Sequence, residues 1–145
     1  VTEFHNHWFS VEPAQWSAVA QFLKGDPALA FDGLMCIAGV DYPDRITSEY
    51  LLYSYEHRHR VCVKVNVPRD AAKIPTAVPV WKHADWMERE AYDLLGIEYV
   101  GHPDLRRVLL PDDWVGHPLR KDYVEPEEYR GIITWREDLR PVDIE

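Results

Sequence analysis

The stretch EYLLYSYEHRHRVCVKVNV, residues 49–67, decides the fold. In its second half Val61, Val63, Val65 and Val67 alternate with polar Lys64 and Asn66. A period of two puts the valines on a core face and the polar residues outside, the pattern of a half-buried strand. Residues 49–55 are rich in Tyr and Leu, as strands are. The polar EHRH between them makes a turn, so the two strands form a hairpin.

Outward from the hairpin, FDGLMCIAGV (31–40) is apolar on both alternating faces, which predicts a strand buried in the sheet interior. EPAQWSAVAQFLK (12–24) reads as a helix. Ser10 is its expected N-cap, Pro13 suits its first turn, and Trp16, Val19, Ala20 and Leu23 form its apolar stripe. Gly25 and Pro27 end it. PRDAAKIPTAVP (68–79) is a proline-punctuated connection with room for a short strand. HADWMEREAYDLL (83–95) predicts a second helix, closed by Gly96, with Ala84, Met87, Ala91 and Leu94 as core stripe, and IEYV (97–100) a short strand. The expected architecture is α+β and two-layered: residues 1–100 pack two helices on a mixed, mostly antiparallel sheet, and a long extended C-terminal segment, 101–145, follows.

The composition narrows function. With 145 residues there is room for one domain with a real core. The formal net charge is −9, and no basic run is longer than Arg106-Arg107 or Arg120-Lys121. Nucleic acid is therefore not an expected partner, because phosphate neutralisation dominates that affinity. No apolar run approaches the roughly 18 to 20 residues of a membrane span, and no signal peptide is visible, so any contact with a membrane process is expected from the water side. Cys36 and Cys62 fall in apolar, strand-like runs and are expected to be buried free thiols. Two thiols fall short of the set an iron–sulfur cluster normally takes, so this chain alone is expected to hold none.

Glu88-Arg89-Glu90 sits within the second predicted helix. Successive helical residues are about 100° apart, so these charges diverge, and Glu88 and Glu90 cannot work as an acid–base pair. Asp85, Arg89 and Asp93 share a stripe, which makes Arg89 the expected ion-pair centre of a solvated charged face. Against a purely solvated face, Trp81, Trp86, Tyr92 and Leu95 lie off the core stripe. Charges on a helix that is apolar on more than one side would be partly buried and need partners. His83, Glu88, His102 and His117 lack the spacing of an H-E-x-x-H helix or a closed zinc site. A free-standing metal-dependent hydrolase built on them is a rival reading, and a stand-alone binding adaptor is another. His102 and His117 are expected instead to bond backbone in the turns that follow them. There is no G-x-S-x-G and no Gly-rich phosphate loop, so no catalytic residue and no metal ligand is predicted.

GHPDLRRVLLPDDWVGHPLRKDY (101–123) is too rich in Pro and Gly for a regular element, yet too apolar for a solvated loop. Its Arg and Lys residues balance its Asp residues, and the mixture of Arg, Trp, Leu and Pro is an interface composition. The acidic tail from 124 to 145 is expected to have little structure of its own.

Read together, W-x4-W-x-E-R-E-x-x-D-L-L-G-I-x-Y-x-G-H-P-D-L-R-R-x-L-L and G-H-P-L-R-K-D-Y closely resemble the 30 kDa subunit family of respiratory complex I, the C-type subunit of bacterial NADH:quinone oxidoreductase. The resemblance runs from Trp81 to Tyr123. It implies a non-catalytic structural subunit of the peripheral arm, docked on the large 49 kDa (D-type) partner near the quinone site, at the cytoplasmic face of the inner (cell) membrane. This chain would then hold no cofactor, and FMN and iron–sulfur clusters would reside in partner subunits. A homologous subunit of a membrane-bound nickel–iron hydrogenase, or of another complex I-like oxidoreductase, is the nearest alternative. The partner interface is expected to comprise Glu88, Arg89, Glu90, Asp93, His102, Arg106, Arg107, Leu109, Trp114, Leu119, Arg120, Lys121, Asp122 and Tyr123. Arg89 and Asp93 would brace the loop or partner. Arg106, Arg107, Arg120 and Lys121 would supply charged contacts, some to the partner and some intramolecular. Leu109, Trp114, Leu119 and Tyr123 would be the apolar anchors. Residues 101–123 are expected to lie extended across a partner and to exchange their amide hydrogens rapidly until it binds.

Overall fold

The hairpin forms as read: β3 (Arg45–Tyr53) and β4 (Arg60–Pro68) pair antiparallel from Arg45↔Pro68 to Tyr53↔Arg60 in the computed structural model, which describes residues 7–134. β2 (Gly33–Asp41) pairs antiparallel with β3, and β1 (Trp8–Val11) pairs parallel with β4. The resulting sheet has the order β1-β4-β3-β2. β2 is therefore an edge strand, not the interior strand its apolar run predicts. Ile37 is buried on one face, while Met35, Cys36 and Ala38 are exposed. The thiols follow the same correction: Cys36 is exposed and Cys62 half-buried, in one cross-strand row with Leu51 on the outer face. An apolar run reports what a strand tolerates, and here only one face of the sheet is covered by helices.

That covered face holds the core. α1 (Trp16–Gly25) follows a short 3-10 turn at Pro13–Gln15. Ser10 lies inside β1 and caps nothing, because the fixed φ of Pro13 opens the 3-10 turn first and α1 begins without a side-chain cap. Trp16 is completely buried, its ring centred 4.2 Å from that of Tyr50 on β3 and 6.3 Å from that of Trp81. The Trp81 indole N–H donates to Phe31 O at 3.0 Å, tying the approach to the second helix onto the chain just before β2.

α2 (Ala84–Leu95) crosses β2 on this same face. Ala84, Ala91 and Leu95 are buried, whereas Met87 and Leu94 are only half-covered. The helix approaches so closely at Gly39 that an added Cβ would collide with Leu95 Cδ1. Gly96, at φ 71°, ends α2 in the left-handed region, with the His117 ring packed where a side chain would project. β5 (Lys73–Pro75) and β6 (Glu98–Val100) form a separate parallel pair that brackets α2 in sequence.

Beyond β6 the chain does not run out extended. It folds back along α2 in a series of turns and returns to the sheet edge. The tail, expected to be unstructured, begins with a small hairpin of β7 (Glu128–Tyr129) and β8 (Ile132–Ile133). Asp113 accepts from Tyr129 Oη at 2.7 Å and from Arg130 Nη2 at 2.8 Å, which fastens that hairpin to the preceding loop. The remainder of the tail lies outside the described residues.

Candidate functional site

The charges of α2 are inside the protein. Glu88 and Asp93 are fully buried and Arg89 is 4% exposed, while Glu90 faces water. A solvated charged face is thus not what forms. The returning segment and the turn after β5 approach the side of α2 that the sheet leaves open, and each buried charge must find partners in one or the other.

Asp93 is the centre of that cover. Its Oδ2 accepts three consecutive backbone N–H groups, from Val108 at 3.0 Å, Leu109 at 2.7 Å and Leu110 at 2.9 Å. Its Oδ1 accepts from Arg107 Nη1 at 2.7 Å. Burial alone would raise this carboxyl, but three amides and a guanidinium outweigh it and hold Asp93 below the usual carboxylate range. Arg107 reaches on to Trp114 O and Gly116 O, each at 3.1 Å, so one side chain cross-links three parts of the segment.

The same segment completes the end of the helix. The last carbonyls of an α-helix lack intrahelical donors and must be met from outside. Here Leu119 N donates to Leu94 O at 3.0 Å and Arg120 Nε to Leu95 O at 2.7 Å. His117 Nδ1 lies 2.9 Å from Asp93 O. A second fastening lies at the sheet edge, where the Lys121 amide donates to buried Asp41 at 2.8 Å. Arg69 pairs with Asp41 and reaches Asp122 at 2.8 Å. Nothing in the spacing of Asp41 or Arg69 marks them in the sequence, because each acts across more than fifty residues of chain.

Glu88 is built differently. Oε2 accepts from Thr76 Oγ1 at 2.5 Å and Oε1 from the Ala77 amide at 2.7 Å. The nearest basic side chain is His102, with Nε2 4.0 Å from Oε2. His102 Nδ1 accepts the Asp104 amide at 3.0 Å, so the ring proton sits on Nε2, which donates to Asp85 O at 3.1 Å. Burial therefore dominates, and it pushes the Glu88 carboxyl up to about 7 against the pull of Thr76 and Ala77.

The other expected residues divide. Arg89 is no ion-pair centre on its own helix: its Nε donates to Arg106 O at 3.3 Å, its guanidinium lies 4.8 Å from the centre of the Trp86 ring, and Asp104 is 4.0 Å away. Asp85 and Asp93 are taken up by other partners. Arg106 is exposed, and its guanidinium bonds the Asp104 side chain at 2.9 Å. Trp114 donates to Tyr123 Oη at 3.1 Å, and both are half-buried. Leu109 and Leu119 stand exposed on the outer surface of the segment, with Glu90 and Trp86 exposed on α2. The residues of the rival hydrolase do not converge: His102 lies beside Glu88, His117 sits at the far end of α2, and His83 is exposed before its start. Among the described residues, no three His, Cys, Asp or Glu side chains gather as a metal site. Nor is any described helix long and apolar enough to cross a membrane.

Residues 9–129 match the family described as respiratory-chain NADH dehydrogenase, 30 kDa subunit. The chain is 45% identical over 130 residues to the C subunit of NADH-quinone oxidoreductase from Chloroherpeton thalassium, covering 86% of this chain and 53% of that protein. It is 48% identical over 121 residues to the corresponding protein of Chlorobium phaeobacteroides, covering 81% and 73%. It thus spans between about half and three quarters of the length of these relatives. Among solved structures, the trypsin-resistant fragment of Nqo5 is 31% identical with a TM-score of 0.64, covering 72% of this chain and 86% of the fragment. A chain of the archaeal membrane-bound sulfane sulfur reductase, 23% identical with a TM-score of 0.72 over 86% of this chain and 75% of its own, shares the fold. The matched span contains both the sheet and the Asp93-centred fastening, and this chain belongs to the 30 kDa subunit family of the respiratory-chain NADH dehydrogenase.

Proposed function

We propose that this chain is a non-catalytic structural subunit of the peripheral arm of an NADH:quinone oxidoreductase, docked on the large 49 kDa-type partner near the quinone site. One observation carries the reading: buried Asp93 and Arg89 and the free end of α2 are used to hold residues 101–123 in one shape, rather than to build an open reactive cleft. Held in that way, Leu109, Leu119, Trp86 and Glu90 project from a preorganised surface, and preorganisation lowers the ordering cost of association. Flavin and iron–sulfur clusters belong, on this reading, to partner subunits at the cytoplasmic face of the membrane. The test is native mass spectrometry of the tagged chain drawn from gently solubilised membranes of its own source. Recovery with a large partner and with flavin- and iron–sulfur-bearing chains is expected. Nickel in place of flavin would move it to a hydrogenase-type machine, and recovery alone would overturn the reading.

A further inference from the structure

Three pieces of chain meet at Glu88. Thr76 and Ala77 approach from the turn after β5, α2 carries the carboxylate itself, and His102 stands at the root of the returning segment. The groups facing it are unusual for an ionised carboxylate. Tyr50 on β3 and Tyr99 on β6 are buried phenols close enough to feel its charge. Asp85, one turn earlier on α2, is acidic and has a buried Oδ1 that finds no hydrogen-bond donor, 3.6 Å from His102 Nε2. His102 cannot supply a compensating charge without giving up the bond its Nδ1 accepts from the Asp104 amide. Among the described residues no Lys or Arg pairs with Glu88 within 4.0 Å.

We propose that Glu88 is a proton-operated latch at the root of the returning segment, closed with a proton bound and loosened once the proton is given up. The enclosed cluster is the ground for this, and the upward push of burial on the Glu88 carboxyl, to about 7, agrees with it. The sign follows from linkage. Any opening that hydrates Glu88 restores its ordinary acidity, so that opening becomes easier as pH rises through the neutral range and levels off above it. Two amides report the opening directly: Ala77, bonded to Glu88, and Val78, bonded to Thr76 Oγ1 at 3.2 Å; Asp104, bonded to the His102 ring whose Nε2 lies 4.0 Å from Glu88, reports its spread to the returning segment. The latch therefore links proton uptake to the two turns that set where residues 101–123 leave the domain.

The experiment is a titration of the full 145-residue chain, uniformly labelled with carbon-13 and nitrogen-15. The Glu88 side-chain carboxyl resonance, assigned by its absence in Glu88→Gln, is expected to move with an inflection near neutrality. Over pH 5 to 7.5 the protection factors of the Ala77, Val78 and Asp104 amides are expected to fall more than about ten-fold in the wild type and to stay level in Glu88→Gln. A Glu88 resonance titrating in the ordinary carboxylate range would overturn the latch without recourse to any variant. So would pH-independent protection in the wild type, or conversion of the His102 ring to the doubly protonated form over the same range.

Discussion

Glu88 and Asp93 sit five residues apart on one helix, are equally buried, and are held in opposite ways. Asp93 faces a guanidinium and three amides supplied by a segment that folds over it. Glu88 faces one hydroxyl, one amide, two phenols and an imidazole whose Nδ1 already accepts an amide. Burial penalises both charges, and the number and charge of the donors decides the outcome. At Asp93 the donors prevail, and the carboxylate becomes a structural rivet. At Glu88 they do not, and the carboxyl stays within reach of a proton. The same residue chemistry thus gives the last turn of α2 a permanent fastening and its middle a titratable one.

The largest effect should come from removing the rivet. Asp93→Ala leaves Arg107 and three amide donors without their acceptor, and breaking a buried pair of this kind costs about 3–5 kcal/mol. Urea unfolding would show it as a lower midpoint. Glu88→Gln, which keeps the shape and removes the charge, should leave the midpoint near neutrality unchanged or higher. Equal losses in both variants would erase the contrast.

The pH dependence separates the two groups by sign. Glu88 is raised above its unfolded value of 4.5 to about 7, so the folded state binds its proton more tightly. Its contribution is full below the unfolded value and is lost as pH climbs towards 7, to a limit of about 3 kcal/mol. Asp93 is lowered, so its contribution is present above its unfolded value and is lost as pH falls through the folded one. Denaturation midpoints across pH 4 to 8 should decline in the wild type and flatten in Glu88→Gln.

Smaller effects sharpen the comparison at the segment. Arg120→Ala removes the donor to Leu95 O at the end of α2, and a lost bond from a charged group costs about 1.5–3 kcal/mol. Arg106→Ala removes an exposed pair with Asp104, expected to be worth under about 1 kcal/mol. Both are read from thermal unfolding of the purified chain. Were Arg106 the costlier loss, the fastening would lie elsewhere. If both variants also assembled normally, the charged part of the proposed interface would be wrong.

The sheet and both helices are legible in the sequence because their signals are local: alternating valines, the spacing of Trp16, Ala20 and Leu23, and Gly96 after Leu95. The parallel β1 is not, since four residues near the start carry no pattern that announces a distant partner. The edge position of β2 is hidden for a related reason: strand order depends on β1 taking the other edge. At the site, the off-stripe aromatics of α2 do signal buried charge, but not its partners. Asp93 pairs with Arg107 rather than Arg89 because the segment returns over the helix, and that return is fixed by Asp41 and Arg69, far away in the chain. A composition suited to an interface thus serves first as an interface within the same chain.

The most direct test is amide hydrogen exchange on the isolated chain at residues 108–110, in the wild type and in Asp93→Asn. A segment fastened by its own domain predicts strong protection of Val108, Leu109 and Leu110 without any partner, and its loss in the variant. Exchange at unstructured rates in the wild type would contradict the account, and would mean that residues 101–123 take their shape only on another protein of the complex.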